Sequence, residues 1–145
     1  MDDSTKDKQE ALDRRYIRMA SIWAENSYCQ RRQVGALIVK DKMIISDGYN
    51  GTPSGFENVC EDENNVTKPY VLHAEANAIT KIARSNNSSN GATMYVTASP
   101  CIECSKLIIS RHQTGSLLRE IPPGRWYRTF ETGRHRGVFI SMDNG

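Results

Sequence analysis

No stretch of the 145 residues is apolar for long enough to span a bilayer as a helix. The first ten, Met1 to Glu10, are polar and mixed in charge, unlike a secretion signal. Neither a membrane anchor nor an export route is therefore expected, and a cytoplasmic, reducing setting is. Charge of one sign is also scarce: 19 basic and 17 acidic residues leave a net charge of +2. That excess is too small to argue for nucleic acid or a membrane surface as partner. There are only four cysteines, which in a reducing compartment are expected as thiols or metal ligands rather than disulfides. What remains is ordinary for a soluble protein, with 38% hydrophobic and 25% charged residues. The length fits one domain, 1–145, able to bury a core without covalent staples.

From Gln9 to Asn26 the apolar residues Leu12, Tyr16, Met19, Ala20 and Trp23 recur three or four apart, the mark of one helix face. Strands are expected at Val34–Val39 and Met43–Gly48, joined into a hairpin by the polar turn Lys40-Asp41-Lys42. A loop rich in Gly, Pro, Asn and Asp follows from Tyr49 to Pro69. Leu72–Ala83 reads as a helix and Ala92–Thr97 as a strand. Pro100 opens another helix, since a first-turn proline lacks only an amide that would have no partner. The order helix, two paired strands, helix, strand, helix predicts an α/β fold with a mixed sheet.

His73-Ala74-Glu75 begins one predicted helix and Pro100-Cys101-Ile102-Glu103-Cys104 begins the next. Two cysteines three apart in a first turn can aim both sulfurs at one ion, and a histidine at a neighbouring helix start supplies a third ligand. Three protein ligands leave a fourth tetrahedral position for water, the arrangement of a catalytic zinc. Zinc brings the pKa of bound water to about 7. Glu75, two residues past the histidine, is placed to handle protons on that water. A redox Cys-x-x-Cys pair would leave His73 and Glu75 without a purpose. A structural site would need a fourth ligand, from Cys29 or Cys60. H-x-E followed by P-C-x-x-C is the known signature of zinc nucleobase deaminases, which this pattern resembles.

From about Tyr16 to Ile109 the chain resembles the deoxycytidylate (dCMP) deaminases of the cytidine/deoxycytidylate deaminase family. The segments that carry the resemblance are RRQVGALIVKD (Arg31–Asp41), GYNGTPSGF (Gly48–Phe56), PYVLHAEANAI (Pro69–Ile79) and MYVTASPCIECSKLII (Met94–Ile109). The zinc motif is common to several deaminases; the Gly48–Pro53 loop is what points to the deoxynucleotide enzymes. The resemblance implies a three-layer α/β/α fold and zinc held by His73, Cys101 and Cys104. It implies hydrolysis of dCMP to dUMP and ammonia, with Glu75 as the proton carrier. It makes Ala74 and Ser99 candidates for the pyrimidine edge, Asn50 for the sugar or phosphate, and Arg31 for the phosphate. It further implies a homo-oligomer, with dCTP and dTTP as effectors acting through Gly48, Tyr49, Asn50 and Gly51. For Asn50 and Gly51 an ordinary turn, and for Arg31 a solvated surface charge, are the plainer alternatives. A deaminase of another base, or a zinc-stabilised protein whose catalysis is weakened, are the competing functions.

After Ile109 the family pattern stops, and SRHQTGSLLREIPPGRWYRTFETGRHRG shows no clear period of 2 or 3.6. The C-terminal strands and helix expected of the family are thus replaced from about residue 110. Codons for Ser110–Gly137 can be chosen so that reading one nucleotide later gives AGIKRVVYYEKYRLGDGIELLKRAGIEV without a stop. That text contains a strand-like KRVVYY and an amphipathic GIELLKRAGI. Trp126 has a single codon, which forces the glycine of DGIE. A one-nucleotide change of reading frame near Ile109–Ser110 is the expectation this raises.

Overall fold

The computed structural model describes residues 3–89, 91–98, 103–104, 107, 117–121, 125–132 and 135–141. Its centre is set by alternation along two strands. In β1 (Gly35–Lys40) and β3 (Thr93–Val96), Ala36, Ile38, Met94 and Val96 point to one face, and Leu37, Val39 and Tyr95 to the other. Both sets are buried, so this part of the sheet is covered on both sides. The first set packs with Ala74, Ala78, Ile79 and Ile82 of α2 (Ala74–Ala83). The second packs with Tyr16, Ile17 and Ala20 of α1 (Asp3–Trp23).

Strand β2 (Met43–Tyr49) pairs antiparallel with β1, and β1 pairs antiparallel with β3. The hairpin turn places Asp41 and Lys42 at φ 52° and 63°, the left-handed pair that a two-residue turn between twisted strands demands. Three further strands, β4 (Leu117–Ile121), β5 (Arg125–Thr132) and β6 (His135–Ser141), complete a sheet of order β2-β1-β3-β4-β5-β6. β4 lies parallel to β3, while β4–β5 and β5–β6 are antiparallel, so the sheet is mixed as expected.

The observed elements depart from the expected ones mainly at their ends. α1 starts at Asp3 rather than Gln9, because a polar segment can continue a helix without contributing to its apolar stripe. Its last expected turn, Ala24–Asn26, tightens to 3-10 geometry. The helix expected from Leu72 starts at Ala74, with His73 still extended at φ −79°, ψ 152° as its N-cap. Glu103, Cys104 and Leu107 are helical, in keeping with the expected helix; Pro100 and Cys101 lie outside the described residues. Within the segment that showed no period, Leu117–Ile121, Arg125–Thr132 and His135–Ser141 form strands rather than an unpatterned tail. No helix among the described residues is long and apolar enough to cross a membrane.

Candidate active site

The site forms where the first turn of α2 meets the ends of β1 and β3. Ala74 and Glu75 begin α2, and both are buried because Ala74 belongs to the core under the sheet. His73, one residue earlier, is exposed at the rim of a cavity of about 220 Å³. Arg32, Val34, Asn50, Thr67, Val71, His73, Ala74, Glu75 and Ala98 line that cavity. Small-molecule sites usually measure roughly 300–1,000 Å³, so this one suits a mononucleotide better than a larger cofactor.

His73 Nδ1 lies 3.3 Å from Cys104 Sγ. Two ligands of one tetrahedral zinc, at the usual Zn–N and Zn–S bond lengths, sit about 3.6 Å apart, so this pair fits a shared ion. The donor set is one imidazole and one buried thiol, both ordinary zinc ligands. The third expected ligand, Cys101, is outside the described residues, as is Ser99.

Glu75 is only 4% exposed. Burial pushes its carboxyl above the ordinary carboxylate range. A backbone amide hydrogen bond, the neighbouring His73, a hydrogen bond with Cys104 and the positive charge of Arg32 oppose the shift. The carboxyl, the imidazole and the thiol thus form one cluster, at a helix N-terminus whose partial positive charge favours anions. A buried carboxyl whose neutral form is favoured, set beside an imidazole and a thiol, is a candidate to take and return protons.

Asn50 lines the cavity and also uses both ends of its amide on the backbone. Oδ1 accepts from Val34 N at 2.8 Å and Nδ2 donates to Arg32 O at 2.8 Å. Gly51 pairs across the loop with Leu72 through hydrogen bonds of 3.1 and 2.7 Å. Tyr49 O accepts from Asn77 Nδ2 at 2.8 Å. Gly48 sits under α2, where a Cβ would run into the Ala74 carbonyl and the Ala78 amide.

Arg31 is not among the lining residues. Its Nη1 donates to Thr67 Oγ1 at 3.4 Å, and its backbone amide donates to the Glu61 carboxylate. The neighbour Arg32 lines the cavity instead. The sequence carried a signal for this: extended residues i and i+2 share a side, and Arg32 is two before cavity-lining Val34. Thr67 and Val71 were not anticipated, because their loop has no period to read.

The four cysteines were expected to be free or metal-bound, but Cys29 and Cys60 form a disulfide, with Cα atoms 5.1 Å apart. Compartment is a statistical guide to pairing; here the loop after β2 folds back beside residues 27–34 and brings the two together. The Glu61 carboxylate, one oxygen of which is within 4.8 Å of both sulfurs, is occupied by the backbone amides of Gln30 and Arg31.

A family profile described as "Cytidine and deoxycytidylate deaminase zinc-binding region" matches residues 10–115. The chain belongs to that family. The deoxycytidylate deaminase of Mycobacterium phage D29 is 36% identical over 110 residues, 66% of this chain and 84% of that protein. The deoxycytidylate deaminase of Saccharomyces cerevisiae is 33% identical over 138 residues, 86% of this chain but 42% of the yeast protein. A crystal structure of dCMP deaminase from the cyanophage S-TIM5, in complex with dCMP and dUMP, superposes with a TM-score of 0.66 at 42% identity. It covers 77% of this chain, and this chain covers 78% of it.

Proposed function

We propose that this chain hydrolyses dCMP to dUMP and ammonia, with zinc held by His73, Cys101 and Cys104 and protons carried by Glu75. The observation that carries this reading is the 3.3 Å approach of His73 Nδ1 to Cys104 Sγ beside the buried Glu75 carboxyl, all at one cavity. The relatives' names and the nucleotides bound in the phage structure support the choice of dCMP.

Zinc, when bound, supplies the acidity that makes a water nucleophilic near pH 7. Glu75 accepts the proton that water loses as its oxygen attacks the ring carbon bearing the amino group. The same carboxyl delivers that proton to the adjacent ring nitrogen. It then takes the second proton from the added hydroxyl and passes it to the amino group, which leaves as ammonia while the ring carbonyl forms. The main chain of Ala74 meets the pyrimidine edge, the role that the family resemblance also gives Ser99, and the apolar wall of Val34, Val71 and Ala98 excludes bulk water from the ring.

Ammonia release from dCMP, set beside cytidine, dCTP and a tRNA anticodon stem-loop, tests the reading. Turnover of dCMP above the others is expected. Preference for any of the other three would replace it. Assembly into a homo-oligomer and a response to dCTP and dTTP accompany this reading by family resemblance, and a cytoplasmic location is proposed with it from the polar, mixed-charge first ten residues. Light scattering and assays with each nucleotide test the first two.

A further inference from the structure

Residues 60–68 form a small arm that holds itself together. Its ends pair through Lys68 N, which donates to Cys60 O at 2.7 Å, and through the Glu61–Thr67 bridge. Asp62 ties the tip: its carbonyl accepts from Asn65 N at 2.9 Å, and its carboxylate from Asn64 N and Val66 N at 2.8 and 3.0 Å. Asn65 stands there at φ 60°, as the tight turn requires. The arm buries little apolar surface, since all six side chains from Asp62 to Thr67 are exposed, Val66 included.

The links that dock the arm converge on three consecutive residues, Cys29, Gln30 and Arg31. Glu61 accepts from the amides of Gln30 and Arg31, and Arg31 Nη1 donates to Thr67 Oγ1 at 3.4 Å. Those bonds are exposed, so water competes for each partner. The Cys29–Cys60 bond is different, with its residues 4% and 0% exposed. The arm brings Thr67 to the cavity wall, and Val71, tied to its root by a 3.1 Å bond to Lys68 O, lines the same wall. His73 and Glu75 are held separately, by the packing of α2 in the core. We infer that Cys29 and Cys60 are a thiol–disulfide exchange site, whose oxidised form docks the arm against the cavity and whose reduced form releases it. The effect on turnover rests on the dCMP reading above; the release of the arm does not.

The oxidant is a small-molecule disulfide, of which oxidised glutathione is the probe. One cysteine thiolate attacks a sulfur of that disulfide, forming a mixed disulfide and expelling one glutathione thiolate. The other cysteine thiolate attacks the protein sulfur of the mixed disulfide, so the Cys29–Cys60 bond forms and the second glutathione thiolate leaves. Two electrons pass from the cysteines to glutathione, and the two protons the cysteines lose are matched by those its thiolates take up. Excess reduced glutathione runs the steps backwards. Both sulfurs are buried, so exchange passes through local opening of the arm, and the pair acts as a slow latch rather than a fast sensor.

The test sets full-length, zinc-loaded chain equilibrated with oxidised glutathione beside the same chain in reduced glutathione. Alkylation and mass spectrometry should find Cys29 and Cys60 as thiols only in the second. Amide hydrogen exchange should quicken across residues 60–68 on reduction and stay unchanged in α2. KM for dCMP should rise about three- to tenfold with kcat unchanged, as follows if about 10–30% of reduced molecules keep the arm docked. The double substitution Cys29→Ser, Cys60→Ser should show the higher KM in both buffers; if it does not fold, hydrogen exchange of the wild type decides. Equal KM and equal exchange in the two states would overturn the latch. So would a second zinc taken up by the reduced chain with the arm still protected. A double variant slowed by reduced glutathione as much as the wild type would move the effect to Cys101 and Cys104 and overturn it too. Chain that deaminates dCMP in neither state, while exchange still quickens on reduction, would overturn the dCMP reading and leave the latch standing.

Discussion

Gly48 of β2 lies directly under the first turn of α2, against the carbonyl of Ala74. The strand and the helix approach so closely there that no side chain fits between them, and Ser46 Oγ donates to Ala78 O at 2.6 Å one turn further on. α2 carries Glu75 and is capped by His73, so the seat of the helix also positions the residues proposed to carry the chemistry. Gly48→Ala forces backbone against backbone, with no flexible side chain to yield. We expect a loss of about 1–3 kcal/mol in stability, with α2 displaced and dCMP turnover lost out of proportion to the folded fraction. Urea unfolding combined with activity per folded molecule checks this. Full activity per folded molecule would show that the seat tolerates movement. The result also bears on the Gly48–Gly51 loop, since packing already accounts for Gly48.

Glu75 yields a prediction with a definite sign. Burial raises its folded-state pKa above the unfolded value. In metal-free protein the stability given by the protonated carboxyl is present below the unfolded pKa and is lost as pH rises through the folded one. Glu75→Gln, which has no charge to bury, should therefore be at least as stable as the metal-free wild type at pH 7. It should retain zinc and lose dCMP turnover by about 10²–10⁴-fold. Thermal melts, metal analysis and single-turnover assays make the three measurements. Turnover that survives the substitution would remove Glu75 from the mechanism.

The metal assignment is tested by removing a ligand and by removing the ion. Cys104→Ser swaps a thiolate for a poor zinc ligand in a residue 2% exposed. The purified variant should hold well below the one zinc per chain expected of the wild type. Chelation of the wild type should abolish turnover, and added Zn2+ should restore it. Melting temperature should fall in both cases, because a bound ion stabilises only the folded state. An unchanged zinc content in Cys104→Ser would place the ion elsewhere, with the Cys29–Cys60–Glu61 cluster the next location to examine under reducing conditions.

Much of this was legible in the residue string where a period or a motif is local. The alternation in β1 and β3, the stripe on α1 and the H-x-E motif each depend on neighbours within a few positions, and each element stands where its pattern put it apart from its ends. What escaped depends on contacts between distant segments. Nothing near Cys29 announces Cys60, 31 residues on. The choice of Arg32 over Arg31 is made by Thr67 and Glu61, on a loop without periodicity. The amide of Asn50 reads as a turn former or a ligand, and only the fold shows it gripping residues 32 and 34.

The segment after Ile109 leads to a prediction at the level of the gene. β4 lies parallel to β3, so the chain must cross over between them, and the helix carrying Cys104 belongs to that crossover. Read one nucleotide later, KRVVYY would occupy positions 113–118, overlapping the start of β4 at Leu117. The amphipathic GIELLKRAGI would occupy 126–135, where β5 now stands. Parallel strands are stable when helices cover both faces, and the shifted text supplies such a helix where the visible text supplies strands. The coding DNA from codon 110 should therefore read, one base later, as AGIKRVVYYEKYRLGDGIELLKRAGIEV. A chain with that reading restored should melt at a higher temperature and deaminate dCMP faster than the 145-residue chain. DNA that cannot be read this way would sink the idea outright. A restored chain no more stable and no more active would show that the visible strands serve the fold as well.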